Sequence, residues 1–295
     1  MTVESSLCGI SRDEIIAALA LPEASIVDQR VPKKLLLENA AVTAADKRTI
    51  TDGISEVRWV AALKPNTIGV PAYRDDAREY LEIAALNVAL RIDPTSARGA
   101  RLAELVHRAI PYPVFLILSG STQPETSEPV SGGLVISPLV LSLAHIRWAQ
   151  NEAQRVVIDG TPESLSFNIQ PTPITRDASQ RASSDPYVPF FADFRRHLAI
   201  SSLPRMHMFA LYQGWMNAFI ALQTAAVTGR FVTEPGGDVS ETRRTALRAL
   251  RDIDVQIASI TSIAAKERQL PRRVELNLQI QALRASRLTA IAALK

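Results

Sequence analysis

The sequence predicts an α+β protein: a central mixed β-sheet with flanking helices and a coiled-coil-like helical hairpin at the C-terminus. Three observations carry this. Apolar strand patterns cluster between Val57 and Asp159, helix patterns occupy both ends, and the last 60 residues repeat apolar positions at three- and four-residue spacing.

At the N-terminal end, Ser11 with Glu14 forms a capping-box pattern before an apolar run that Pro22 ends. Val31-Pro32 reads as extended chain, with a helix starting at Lys33. Thr43 caps a second helix over AADKRTITDGI. Strand signals follow at Val57–Val60 and across Tyr80–Arg91. A short helix over Leu102–Ala109 leads into Ile110-Pro111-Tyr112-Pro113 and the apolar run Val114–Leu118, a buried strand. Gly120–Gly133 reads as a polar turn region, and Leu134–Trp148 and Arg155–Asp159 as further strands.

Five prolines between Pro162 and Pro189 predict a long loop or linker. Helices are expected over Phe190–His197 and Arg205–Thr228, the second with Phe209, Tyr212, Met216, Phe219 and Ile220 on one face and Gly229 as its C-terminal stop. A break at Pro235-Gly236-Gly237-Asp238 precedes a tail helix capped by Ser240. That helix carries an apolar seam of Leu247, Leu250, Ile253, Ile257, Ile260 and Ala264. Pro271 suits the first turn of a new helix, whose seam is Leu276, Ile280, Leu283, Ala290 and Leu294, interrupted by Arg287. The expected organisation is an α+β domain at 1–160, a Pro-rich loop or linker at 161–189, a helical segment packing on the core at 190–234, and the hairpin at 235–295.

The chain has 295 residues, 47% hydrophobic and 21% charged, enough for a large core. Its net charge is +3, yet residues 240–295 hold 11 Lys/Arg against 5 Asp/Glu, a balance of +6. The remainder is therefore acidic by about three charges, and the basic character lies in the tail. One cysteine, Cys8, excludes an internal disulfide or a cysteine zinc site. The N-terminus lacks a secretory pattern, so a cytoplasmic location is expected. Residues 206–229 carry no Lys, Arg, Asp or Glu, but His207, Gln213, Asn217, Gln223 and Thr224 make them too polar for a membrane span.

Catalytic signatures are sparse. His107, His145, His197 and His207 show no metal-ligand spacing, and no nucleophile elbow, Walker or dinucleotide motif occurs. No cofactor or metal is expected. Asp75, Asp76 and Glu82 precede or enter a strand, where magnesium nucleases place carboxylates. The usual lysine two residues after the second acid is replaced by Ala84. Basic residues offer a different chemistry. Arg30, Lys33 and Lys34 cluster near the N-terminus, and Arg243, Arg244, Arg248, Arg251, Arg268, Arg272 and Arg273 stud the tail. Such cations track phosphates or an acidic partner, or form a solvated face.

Several blocks together resemble a bacterial family catalogued as domain of unknown function 4391. They are Arg30-Val31-Pro32-Lys33-Lys34, Trp59 with Leu63-Lys64-Pro65 and Thr67, Ala109-Ile110-Pro111-Tyr112-Pro113, and Lys266-Glu267-Arg268-Gln269 with Arg273-Val274-Glu275-Leu276-Asn277. Leu270-Pro271 departs from the family pattern and favours a turn there. The resemblance implies a setting beside SNF2-type helicases and DNA methyltransferases in restriction-like or antiphage clusters, and no catalytic residues. The expectation is a non-catalytic accessory subunit docking on such a helicase or methyltransferase and reaching DNA. A divalent-metal nuclease and a standalone DNA-binding module are the alternatives.

Overall fold

The computed structural model describes residues 10–40, 43–120, 138–149, 156–167, 185–233 and 237–294. The chain divides into two compact units, 1–219 and 220–295, with the boundary inside one helix.

The first unit is built on a six-stranded sheet in the order β1-β2-β5-β6-β7-β10. These strands are β1 Ile26–Arg30, β2 Ile54–Leu63, β5 Ile83–Leu90, β6 Val114–Gly120, β7 Leu139–Leu143 and β10 Glu163–Phe167. All neighbours are antiparallel except β5 and β6, which run parallel. A parallel pair needs a crossover, and α5 (Ala97–Ala109) supplies it. Two short hairpins accompany the sheet: β3 (Tyr73–Arg74) with β4 (Glu79–Tyr80), and β8 (Ile146–Trp148) with β9 (Val156–Ile158).

Both faces of the central strands are covered. Ala84, Leu86, Val88 and Leu90 of β5 and Val114, Leu116 and Leu118 of β6 pack with Leu36, Ile50, Leu102 and Val106. These last four belong to α2 (Lys33–Asn39), α3 (Ala44–Gly53) and α5. On the other face Phe115 meets Trp215 and Phe219 edge-on, with ring centroids 5.0 and 6.0 Å apart. Those two aromatics lie on α7 (Met208–Thr228), and Phe194 of α6 (Phe191–Leu198) joins them. Burial on both faces is why β6 reads as an unbroken apolar run rather than an alternation.

Local signals set the helix ends. Ser11 and Glu14 exchange both capping-box bonds at the start of α1 (Arg12–Ala18). The Thr43 hydroxyl accepts from the Asp46 N–H at α3. The Asp46 carboxylate in turn takes a two-pronged bond from Arg101, 2.9 and 3.0 Å, clamping α3 to α5. Gly99 lies in the first turn of α5, where a Cβ would come within 2.2 Å of the Pro94 carbonyl oxygen. Only glycine fits there.

Three expectations change. The strand expected over Tyr80–Arg91 is broken after Tyr80: Glu79–Tyr80 pairs back on β3, and β5 starts at Ile83. The Asp75 carboxylate holds the Ala77 and Arg78 N–H groups, making a hairpin turn that diverts the chain. Residues 163–167, expected in the Pro-rich loop, form β10 because Glu163, Leu165 and Phe167 alternate inward against β7. The remainder of that expected loop up to residue 184, like most of the turn region expected after Gly120, lies outside the described residues. Ser240 does not cap the tail helix. Helix α8 (Gly237–Lys266) starts a turn earlier, and Ser240 is buried seven residues before Leu247 on the same face.

In the second unit α8 and α9 (Leu270–Ala292) form the expected hairpin. One core gathers Ile220, Leu247, Leu250 and Leu294; another gathers Ala264, Leu276 and Ile280 with Ile257 and Ile260. Gly229 takes the left-handed conformation, φ 79°, that ends α7. Pro271 stands in the first turn of α9. Arg287, which interrupts the seam, bonds Asp254 of α8 at 2.6 Å and fixes the register of the pair.

Replacing Leu116, fully buried in the central strand, by alanine is expected to cost about 2–5 kcal/mol, read as a lowered urea midpoint.

Candidate functional site

A line of polar side chains gathers where the β3–β4 hairpin meets the start of α7. Tyr80 Oη lies 2.6 Å from His145 Nδ1, and His145 Nε2 lies 2.9 Å from Gln213 Oε1. Gln213 Nε2 donates to Asn217 Oδ1 at 2.8 Å, and the Ile146 N–H donates to Tyr80 Oη at 3.4 Å. These contacts are satisfied when Tyr80 donates to Nδ1 and the imidazole donates from Nε2 to the Gln213 carbonyl oxygen. Burial, the largest cause, raises the Tyr80 pKa well above the ordinary phenol range, so it stays a donor.

Aromatic rings surround this line. Phe209 packs against Tyr73, Tyr80 and His145, and Arg78 places its guanidinium 5.0 Å above the Phe209 ring. Arg78 also pairs with Asp159, which Arg147 approaches from the same hairpin, and the Trp148 N–H donates to Ala77 O at 2.7 Å. Next door the Tyr212 hydroxyl donates to Val114 O and accepts from the Ala144 N–H. The arrangement ties two hairpins, α7 and the sheet together. Tyr80 is fully buried within it and His145 nearly so.

The sequence reading passed over this network because its members stand up to 137 residues apart, from Tyr80 to Asn217. The one local signal was Gln213 with Asn217, two amides four residues apart on a charge-free helix.

The three candidate carboxylates have separate occupations. Asp75 accepts from Tyr73 Oη at 2.8 Å as well as from the turn amides. Burial works to raise its pKa, but these hydrogen bonds and the Arg78 charge hold it below the usual carboxylate range. Asp76 is exposed in the same turn. Glu82 pairs with Lys64 at 3.3 Å, beside a groove of about 410 Å³ that Pro65, Asn66, Leu81 and Tyr112 also line. Two of the familiar sequence blocks, Lys64-Pro65 and Tyr112, thus meet at Glu82. Among the described residues no three His, Cys, Asp or Glu group to hold a metal.

The basic candidates fall into three places. Lys34 pairs with Glu38 along α2, whereas Arg30 ends β1 and Lys33 turns its ammonium to the Ile54 carbonyl. On α8, Arg243 donates to Val232 O and Arg244 pairs with Glu241, with Arg248 and Arg251 following. Arg268, Arg272 and Arg273 lie at the α8–α9 turn, where Glu267 faces Arg272 and accepts from the Gln269 N–H. Along α8 fifteen residues separate Arg251 from Lys266, about 22 Å at ~1.5 Å per residue, so the basic residues of that helix gather at its two ends.

A family model described as Domain of unknown function (DUF4391) matches residues 19–286. The chain belongs to that family. No curated protein and no solved structure matches it. Two blocks that pointed to DUF4391 find structural work here: Val31-Pro32-Lys33 turns β1 into α2, and Lys266–Gln269 makes the hairpin turn. Among the described residues no helix is long and apolar enough to cross a membrane.

Two outcomes test the buried polar groups of the first unit. Tyr80→Phe removes the donor to His145 and leaves a buried acceptor unmet, for an expected loss of about 1–3 kcal/mol in urea unfolding. His107, wholly buried against Ser142 Oγ at 3.0 Å, has its pKa pushed down by burial to about 3. Its folded pKa is below the unfolded value of about 6.5, so the unfolded chain binds the extra proton as pH falls. Its contribution is complete above about pH 6.5 and drains away towards pH 3, at about 1.4 kcal/mol per unit. The stability slope over that window is expected to flatten in His107→Gln relative to the parent.

Proposed function

We propose that the hairpin is a docking arm and that the chain is a non-catalytic accessory subunit. The observation that carries this is a second apolar stripe on α9. At about 100° per residue, Leu276, Ile280, Leu283 and Leu294 point towards α8, while Val274, Leu278, Ala285 and Leu288 fall within an arc of about 80° on the opposite side. The inner set is buried or half-buried. Val274, Leu278 and Leu288 are 50%, 60% and 68% exposed. A helix apolar on two opposite faces is built for two neighbours, and α8 is one of them.

The occupant that fits is a helix of another protein, laid along α9 between arginine-bearing ends. The sequence blocks that resemble the family make an SNF2-type helicase or a DNA methyltransferase of a restriction-like or antiphage system the partner we favour, with DNA within reach of the tail arginines. Such an arm supplies apolar area for affinity and cations for orientation.

The test uses the full chain. Leu278→Glu with Leu288→Glu places charge on the outer stripe and leaves the inner seam intact, so helicity by circular dichroism is expected to hold. Affinity purification from the native host, with identification of the captured proteins, is expected to recover a helicase or methyltransferase with the parent chain. At least tenfold less is expected with the double variant or with residues 240–295 removed. A partner of that class retained undiminished by both variants overturns the reading.

A further inference from the structure

A groove of about 320 Å³ opens beside the entry to α2, lined by Arg30, Val31, Pro32, Lys33, Glu56 and Val57. Two cations line it, Arg30 and Lys33, and a third, Arg91, meets Lys33 at a shared carbonyl behind its wall. Lys33 Nζ donates to the Ile54 carbonyl, and Arg91 Nη1 donates to that same oxygen at 2.9 Å and to Thr51 O at 3.3 Å. Both charges thus cap the C-terminal end of α3, a fitting place for cations. That role uses one ammonium hydrogen and one guanidinium nitrogen, leaving the other donors of each group available. Arg30 approaches from β1, opposite Arg58 in the ladder.

The charges in this corner do not balance internally. Glu56, the one carboxylate on the groove wall, pairs with Arg58 at 3.2 Å, and Asp28 pairs with Arg58 at 2.9 Å. Among the described residues, Arg30, Lys33 and Arg91 form no ion pair. Burial first, then the Arg91 and Arg30 charges, lower the Lys33 pKa, a sign that the three cations feel one another. The larger groove of about 640 Å³ beside α5 is a contrast: there Arg108 is met by Glu104 at 2.6 Å, and Glu104 also holds Arg101.

We infer that the Arg30–Lys33–Arg91 corner is a binding site for a phosphoryl oxyanion, carried by a phosphate ester. A tetrahedral oxyanion takes donors from several directions at once, and guanidinium groups suit it through their forked N–H pairs. The groove volume is at the lower end of what small-ligand sites occupy, about 300–1,000 Å³, and is open enough for a group that continues beyond it. The chemistry is shared by free phosphate esters and by a nucleic-acid backbone. The site lies in the first unit and stands whether or not the hairpin docks on a partner.

Thermal unfolding of the full chain in inorganic phosphate, against chloride at matched ionic strength, reads the site directly. Phosphate at tens of millimolar is expected to raise Tm by about 2 °C or more over chloride, as ligand linkage requires. Arg30→Gln, which touches no helix cap, and Lys33→Gln are expected to abolish the difference. Lys34→Gln, at the residue already paired with Glu38, is expected to leave it unchanged. Anisotropy of a labelled 20-nucleotide DNA separates the sources. At least fivefold weaker binding in Arg30→Gln supports a backbone phosphate, and unchanged DNA binding with a lost phosphate effect supports a small phosphate ester. Equal Tm in phosphate and chloride, or a phosphate effect that survives both Gln variants, overturns the site.

Discussion

The parallel contact between β5 and β6 is the constraint on which the first unit depends. It requires a crossover, so the chain leaves the sheet at Leu90, descends through α5 and returns at Val114. Both strands are then enclosed, one face by α2, α3 and α5 and the other by the aromatics of α6 and α7. Everything polar near that enclosure must be answered locally. Asn87, His107, Ser142 and Tyr212 all find hydrogen-bond partners inside it. Gly99 matters for the same reason: the crossover closes so tightly that backbone occupies the place of a side chain.

Much of this was legible because it rests on short-range chemistry. The Ser11 and Thr43 caps, the proline-flanked entry to β6, Gly229 after α7 and Pro271 at the start of α9 each operate within a few residues. The two tail seams were legible because helical periodicity survives over about five turns in each. What escaped depends on distance along the chain. Whether Glu79–Tyr80 continues into β5 is decided by Asp75 and by the partner strand β3, not by propensity. The strand β10 forms because β7 offers it an edge. Ser240 looked like a cap because serine before an apolar helix usually is one; here the helix simply began earlier.

The candidate site residues divide along the same line. Basic residues were found by counting, since a charge excess needs no fold to be visible. Their grouping was not. Arg91 joins Lys33 only because β5 ends beside the last turn of α3, and Lys34, adjacent to Lys33 in sequence, is drawn away by Glu38. The carboxylates before β5 were correctly placed near strand ends, yet a turn takes one and Lys64 another. The Tyr80–His145–Gln213 line had almost no sequence signature, as polar networks assembled from three distant segments seldom do.

Strand β1 closes the account. It is an exposed edge, a row of backbone groups open to any extended chain that drifts past. Its register slips between Ile26 and Gln29, and Asp28 adopts a positive φ of 46°, an uncommon conformation outside glycine. The kink spoils the flat template that another strand would need, and Arg58 holds Asp28 in place across the ladder. Among the described residues the sheet ends at β1 on this side. A crowded solution of such chains has little means of zipping together edge to edge there, so contact with other proteins is steered away from main-chain pairing and towards surfaces that select by side chain.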